Sequence, residues 1–408
     1  MDIHLSHTTT KFTGRINITG SKSESNRLLL LQAIYPNLRL VNVSNSDDTQ
    51  TIINALKSSK SIVDVHHAGT AMRFLTAYYA FKLESVVILT GSKRMLERPI
   101  KILVDALKEM GALIEYENVN GYPPIRIKGS NPLKNIVKLS SSVSSQYVSA
   151  LMLVASKMPD GLTIELSGEI TSLPYIKMTE SLLKTIGIGV EFKNQKLTIF
   201  NKETIDNKII TIESDWSSAS YFYSIVALSE NSSLRLSSYK KKSLQGDSCL
   251  MSIYKKLGVL SKFEGNTLIL IKQSDFNIPK QISLNLIDSP DIAQTIAVTC
   301  YGLGIKCDLY GLHTLKIKET DRLSALKKEL IKLGAKISIT DESIHIKSSN
   351  TLNHNIRVST YQDHRMAMAF APLATKVSLI VEDANVVNKS YPDFWKDLQR
   401  IGFKCIKK

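Results

Sequence analysis

Helical and strand periodicities alternate along the whole chain, in a recurring order. Apolar residues repeat at helical spacing in residues 104–110, 182–186, 253–257, 330–333 and 398–401, and each stretch runs into a glycine: Gly111, Gly187, Gly258, Gly334 and Gly402. A glycine in that place supplies the left-handed residue that closes a helix. Alternating apolar and polar residues follow, as in 336–340 and 343–347, and predict the strands of a hairpin. A second series of helices is built from small apolar residues, and each is opened by a polar cluster. The clusters are residues 21–27, 67–73, 144–146, 215–218, 289–291 and 363–365. Anchored at residues 23, 70, 145, 217, 291 and 364, they are separated by 47, 75, 72, 74 and 73 residues. So regular a spacing is an internal repeat.

Each repeat therefore reads as polar cluster, helix, strand, helix, glycine and hairpin, which predicts an α/β (α+β) protein. The first repeat is short: between Lys57 and His67 there is room for little more than one strand, so its terminal hairpin is expected to be missing. Six repeats suggest two domains of three, with the break near residues 214–215. No linker-like or low-complexity run marks that break.

Composition narrows the class. The chain has 408 residues, 43% hydrophobic and 22% charged, which suits two globular domains with full cores. No stretch is long and apolar enough to span a bilayer, and residues 1–7 lack the basic and apolar regions of a signal peptide. Four cysteines without zinc-type spacing point to a reducing compartment, so a cytoplasmic location is expected. The net charge of +15 raises nucleic-acid binding. The lysines are scattered, however, and no nucleic-acid motif stands out. A solvated surface, with some cations committed to an acidic small molecule, fits better. No nucleic-acid or membrane partner is therefore expected.

The clusters carry groups suited to anions, because helix N-termini present unpaired N–H groups and positive dipole ends. Ser21 or Ser23 can cap the first helix, and Arg27 lies four residues beyond Ser23 on the same face. The residues alone leave anion binding and an ordinary capped helix equally open. Gly69-Thr70 resembles other close backbone approaches to phosphate but is a weak signal by itself. Arg98 precedes Pro99, which favours an extended Arg98. Its guanidinium could grip a carboxylate or phosphate, or simply pair with Glu97. In residues 316–322 five of seven side chains are charged, at a strand–helix turn. His364-Arg365 opens a nearly all-apolar helix, which aims that pair at a buried end.

Nine strings together resemble the 5-enolpyruvylshikimate-3-phosphate synthase family. They are Gly20-Ser21-Lys22-Ser23 with Asn26-Arg27, residues 68–73, Glu97-Arg98-Pro99, Val143-Ser144-Ser145-Gln146, Pro174-Tyr175, residues 217–222, Lys318-Glu319-Thr320-Asp321-Arg322, residues 363–368 and residues 389–393, all in family order. The resemblance implies two domains of three βαβαββ repeats: residues 21–214, and residues 1–20 with 215–408, with the active site in the cleft between them. It also implies transfer of the enolpyruvyl group of phosphoenolpyruvate to shikimate 3-phosphate by a monomer with no cofactor and no metal. Carried over residue by residue, it assigns shikimate 3-phosphate to Lys22, Ser23, Arg27, Ser144, Ser145, Gln146, Ser172, Tyr175, Asp291, Thr314 and Lys318. It assigns phosphoenolpyruvate to Lys22, Gly69, Arg98, Gln146, Arg322, His364, Arg365 and Lys389. Asp291 and Glu319 become the acid–base pair, with Lys22 sharing the catalytic role. With Gly69 in place, it further implies that glyphosate competes with phosphoenolpyruvate.

Some positions depart from the family pattern. Thr19 replaces a usual proline, His67 a usual asparagine, Phe74 a proline common in some members, and Thr314 an asparagine that touches the shikimate phosphate. Asp288 is near enough to Asp291 to rival it as base. A related UDP-N-acetylglucosamine enolpyruvyl transferase would carry a loop cysteine, and residues 91–99 contain none. An RNA-terminal phosphate cyclase would need His364 as a nucleotide carrier. A non-catalytic nucleic-acid binder is the third rival.

Overall fold

A computed structural model describes residues 1–7, 9–140, 144–168, 170 and 172–408. Val143, quoted in the resemblance, lies outside the described residues. The chain divides into two compact units: Ser21–Ile212, and Met1–Gly20 with Glu213–Lys408. Among the described residues no helix is long and apolar enough to cross a membrane.

In each unit three helices pack against one another; all but Lys22–Ile34, whose first half is polar, are largely apolar and have little face to give to water. In the second unit they are Trp216–Leu228, Ala293–Gly302 and His364–Phe370. All residues of the first and last are buried. In Ser21–Ile212 the corresponding helices are Lys22–Ile34, Gly69–Ala80 and Ser145–Ala155.

Four-stranded sheets accompany these helices and share one order. In the clearest case, Ile136–Ser140 runs parallel to Leu162–Ser167. Lys196–Ile199 pairs antiparallel to Leu162–Ser167, and Val190–Lys193 lies outermost. The parallel pair is bridged by Ser145–Ala155, and the hairpin follows the amphipathic helix Leu173–Thr185. This is the expected repeat. Its closing glycines behave as the pattern requires: Gly111, Gly187, Gly258, Gly334 and Gly402 carry φ between 81° and 110°.

Three strands depart from sequence order. Among the described residues the shortened first repeat has no hairpin and Leu38–Val41 pairs only with Lys208–Thr211, which arrives parallel from the far end of its unit. Thr13–Ile16 gives the fourth repeat its parallel edge against Ser233–Leu236. Ile3–His7 inserts between Leu379–Val381 and Phe403–Lys407, filling the place a second hairpin strand would take. Glu213 and Ser214 fall with the second unit, two residues earlier than the boundary expected from sequence. Ser214 Oγ donates to Ile18 O and its N–H to Ser238 O, while Glu213 accepts from Trp216 Nε1 and Lys240 N.

Candidate active site

The repeat brings three helix starts of the second unit together. Asp215 and Asp363 cap their helices, accepting from Ser218 N at 2.8 Å and Arg365 N at 2.9 Å. Asp291 stands on the short turn Pro290–Ile292 ahead of Ala293–Gly302. Arg365 Nη2 then reaches both Asp291 Oδ2 at 3.0 Å and Ser217 Oγ at 3.3 Å. Helix Arg322–Lys332, capped by Asp321, adds Arg322. Only 2% of that side chain is exposed. Its Nε donates to Asp363 at 2.6 Å, Nη1 to Asp291 at 2.9 Å and Nη2 to Glu319 at 2.8 Å. Lys389 Nζ lies 2.9 Å from Glu319, and Lys318 Nζ 3.7 Å from Asp291.

Four cations (Lys318, Arg322, Arg365, Lys389) thus face three carboxylates (Asp291, Glu319, Asp363). Burial pushes the Asp291 carboxyl up, but Arg365, Lys318 and Arg322 outweigh it and hold it well below the usual carboxylate range. Burial also works against charge on Arg322, and Asp363, Glu319 and Asp291 overcome it. A fourth carboxyl, Asp247, accepts from Ser217 Oγ. Burial, reinforced by the nearby Asp291 and opposed by Arg365, lifts it to about 7. The cluster is therefore close to neutral and held by ion pairs that an incoming anion can replace.

The unit Ser21–Ile212 carries a second group of cations. Lys22 Nζ pairs with Asp48 at 3.1 Å. Arg27 is buried and donates to Thr179 Oγ1 at 2.7 Å, Ser23 O at 2.9 Å and Ser149 Oγ at 3.0 Å. Its guanidinium carbon lies 5.7 Å from the Tyr175 ring centre, and burial lowers it to about 10, so it stays charged at neutral pH. Gly69 starts its helix directly beneath Arg98: an added Cβ would meet Arg98 Nη1 at 2.6 Å and Arg73 Nη1 at 3.1 Å. Arg73 Nη1 donates to Gly69 O at 3.1 Å. Gln146 Nε2 donates to Thr70 Oγ1 at 3.3 Å, joining the starts of two helices.

The structure brings Asp291, Lys318, Glu319, Arg322, Arg365 and Lys389 into one ion-pair network, and Gly69 under Arg98. His364 is buried beside it, Nδ1 3.6 Å from Asp363 Oδ1. Ser144 caps helix Ser145–Ala155 by accepting from Gln146 N at 3.2 Å. Ser145 is buried in the first turn of that helix, and Ser172 precedes Leu173–Thr185 in a left-handed conformation (φ 54°). Thr314 sits in the turn His313–Ile317, its buried Oγ1 without a hydrogen-bond partner among the described residues. Asp288 is exposed, while Asp291 is inside the network. Glu97, the simple alternative partner of Arg98, pairs with Arg94 at 3.1 Å.

One expectation needs correction. Neither Ser21 nor Ser23 caps the first helix through its side chain: Ser23 lies inside it, and Ser21 makes no capping bond. The helix closes on backbone alone, with Ser25 N donating to Ser21 O at 2.8 Å. The geometry also adds Asp48 and Asp247, which sequence did not single out, and makes Ser217 and Asp363, read there only as parts of helix-opening clusters, partners of the expected cations. Their only sequence signal is their place beside a helix start, shared by many structural residues.

This arrangement belongs to a known class. The fold matches EPSP synthase from Acinetobacter baumannii with a TM-score of 0.80 at 19% identity, covering 100% of both chains. It also matches the enolpyruvyl transferase NikO from Streptomyces tendae with a TM-score of 0.74 at 12% identity, covering 100% of this chain and 99% of that one. The fold is thus that of the enolpyruvyl transferases. Residues 56–398 match the family EPSP synthase (3-phosphoshikimate 1-carboxyvinyltransferase). The 3-phosphoshikimate 1-carboxyvinyltransferase of Bacteroides fragilis (strain YCH46) is 40% identical over 392 residues, 95% of each chain. That of Histophilus somni (strain 2336) is 34% identical over 423 aligned positions, covering 95% of this chain and 96% of the other. The chain belongs to the EPSP synthase family.

Proposed function

We propose that this chain transfers the enolpyruvyl group of phosphoenolpyruvate to the 5-hydroxyl of shikimate 3-phosphate and releases inorganic phosphate. The observation that carries the reading is the pair Asp291 and Glu319, each held between cations at 2.8 to 3.7 Å. Two multiply charged anions repel each other, and a preformed set of guanidinium and ammonium groups offsets that repulsion. Lys22, Gly69, Arg98, Gln146, Arg322, His364, Arg365 and Lys389 hold phosphoenolpyruvate. Ser23, Arg27, Ser144, Ser145, Ser172, Tyr175, Thr314 and Lys318 join Lys22, Gln146 and Asp291 on shikimate 3-phosphate.

A carboxylate tied to three cations is a weak base. When substrate anions take over Lys318, Arg322 and Arg365, Asp291 loses its counter-ions and its proton affinity rises. It then accepts the 5-hydroxyl proton as that oxygen bonds to C2 of the enol, while C3 gains a proton. In the second step the C2–O bond to phosphate breaks, the bonding pair leaves with phosphate, and C3 returns its proton. Glu319, paired with Lys389 and Arg322, handles the C3 proton, with Lys22 as the alternative.

The test is phosphate release by purified protein with both substrates present and with each omitted in turn. Release only with both supports the proposal. Binding of both substrates without turnover would refute the catalytic assignment.

A further inference from the structure

The turn that delivers Asp363 to the site is held in a backbone conformation its own residues resist. Tyr361 and Gln362 have φ of 53° and 56°, and Asp363 N closes the turn on Thr360 O at 2.9 Å. Positive φ at both central positions is normally left to glycine, asparagine or aspartate. A tyrosine followed by a glutamine therefore needs an outside restraint.

Helix Arg322–Lys332 supplies one. Arg322 at its start grips Asp363, and Glu329, seven residues on, lies two turns along the same face. The Glu329 side chain is fully buried. Its Oε1 accepts from Tyr361 OH at 2.6 Å, and its Oε2 accepts from Ser359 N at 3.1 Å and Lys332 Nζ at 2.7 Å. One helix thus fixes residues 359, 361 and 363. Asp363 in turn caps the helix that carries His364 and Arg365 and is the buried counter-ion of Arg322.

We infer that Glu329 and Tyr361 form a latch that positions Asp363, and through it Arg322 and Arg365, for the reaction proposed above. Both are positioning residues: Glu329 bonds to Tyr361 OH, Ser359 N and Lys332 Nζ, and the pair acts by holding the turn. The inference rests on the proposed reaction, and the experiment separates the two.

The experiment measures phosphate release and thermal unfolding for the wild type, Tyr361→Phe, Gln362→Asn and the double variant. Asparagine accepts the left-handed conformation, so it relieves the strain that the latch opposes. Tyr361→Phe should lower kcat/KM for phosphoenolpyruvate by about ten- to a hundredfold, the scale of a small misplacement of binding groups, with KM for shikimate 3-phosphate within twofold. Gln362→Asn alone should leave activity within twofold. In the double variant Gln362→Asn should recover at least half of the lost activity on a logarithmic scale. A Tyr361→Phe variant that unfolds at lower temperature but keeps wild-type kinetics overturns the inference, as does a double variant no better than Tyr361→Phe. An inactive wild type would instead overturn the reaction on which it rests.

Discussion

Replacing Gly69 by alanine tests the proposed role of Arg98 in the unit Ser21–Ile212 with a single methyl group. The added Cβ would stand 2.6 and 3.0 Å from the two terminal nitrogens of Arg98 and 3.1 Å from Arg73 Nη1. Ordinary contact begins near 3.4 Å, so the closest Arg98 nitrogen has to retreat by about 0.8 Å. The atoms that must move are ends of flexible side chains, and Gly69 is the first residue of a helix, where alanine is tolerated. Stability should therefore change by less than about 1 kcal/mol. Binding should suffer more, because a shift of that size in a group that grips the substrate costs up to about a hundredfold. The assay is steady-state phosphate release with each substrate varied against saturating partner, beside a thermal melt. KM for phosphoenolpyruvate should rise about ten- to a hundredfold, with KM for shikimate 3-phosphate nearly unchanged. A KM for phosphoenolpyruvate within twofold of wild type would refute the placement of Arg98 on that substrate. A large loss of melting temperature would show that backbone, not side chain, yields.

Three further outcomes are expected. Asp291→Asn and Glu319→Gln should each lower kcat by about 10²- to 10⁴-fold while calorimetric binding of shikimate 3-phosphate weakens far less, and near-normal turnover in both variants would eliminate them as the acid–base pair. Asp247 should make folding pH-dependent. Its folded pKa of about 7 lies above that of the unfolded chain, so the folded state binds the extra proton and stability falls as pH rises from about 4 through 7, by at most about 1.4 kcal/mol per unit. Asp247→Asn should remove that slope in urea titrations across pH 4 to 8, and an unchanged slope would show that the carboxyl beside Asp291 and Arg365 is ionised throughout. Glyphosate should raise the apparent KM for phosphoenolpyruvate without lowering kcat, whereas strictly noncompetitive kinetics would place it elsewhere.

The candidate site was partly legible in the primary structure. Glu319 and Arg322 stand in a dense charged string at a predicted strand–helix turn, Arg365 stands in the polar start of a nearly all-apolar helix that aims it at a buried end, and Lys389 was reached only through the family resemblance. Asp247 and Glu329 were not legible. Glu329 reads as one more charged residue of the amphipathic helix Arg322–Lys332, and nothing local distinguishes it from Glu342, which is exposed. Its partner Tyr361 is 32 residues away, and Asp247 meets Ser217 across 30.

Periodicity, helix ends and the sixfold repeat are local properties. They follow from where a side chain points along 3.6-residue or two-residue spacings and from the left-handed glycines that stop helices. The sequence by itself therefore determined the repeat and its elements. Only the tertiary structure decided which strands complete which sheets, as with Ile3–His7 entering the last sheet and Lys208–Thr211 the first. It also decided which carboxylate neutralises which cation. Charges pair by distance in space, and a lysine or arginine carries no mark along the chain of the partner that folding will bring to it.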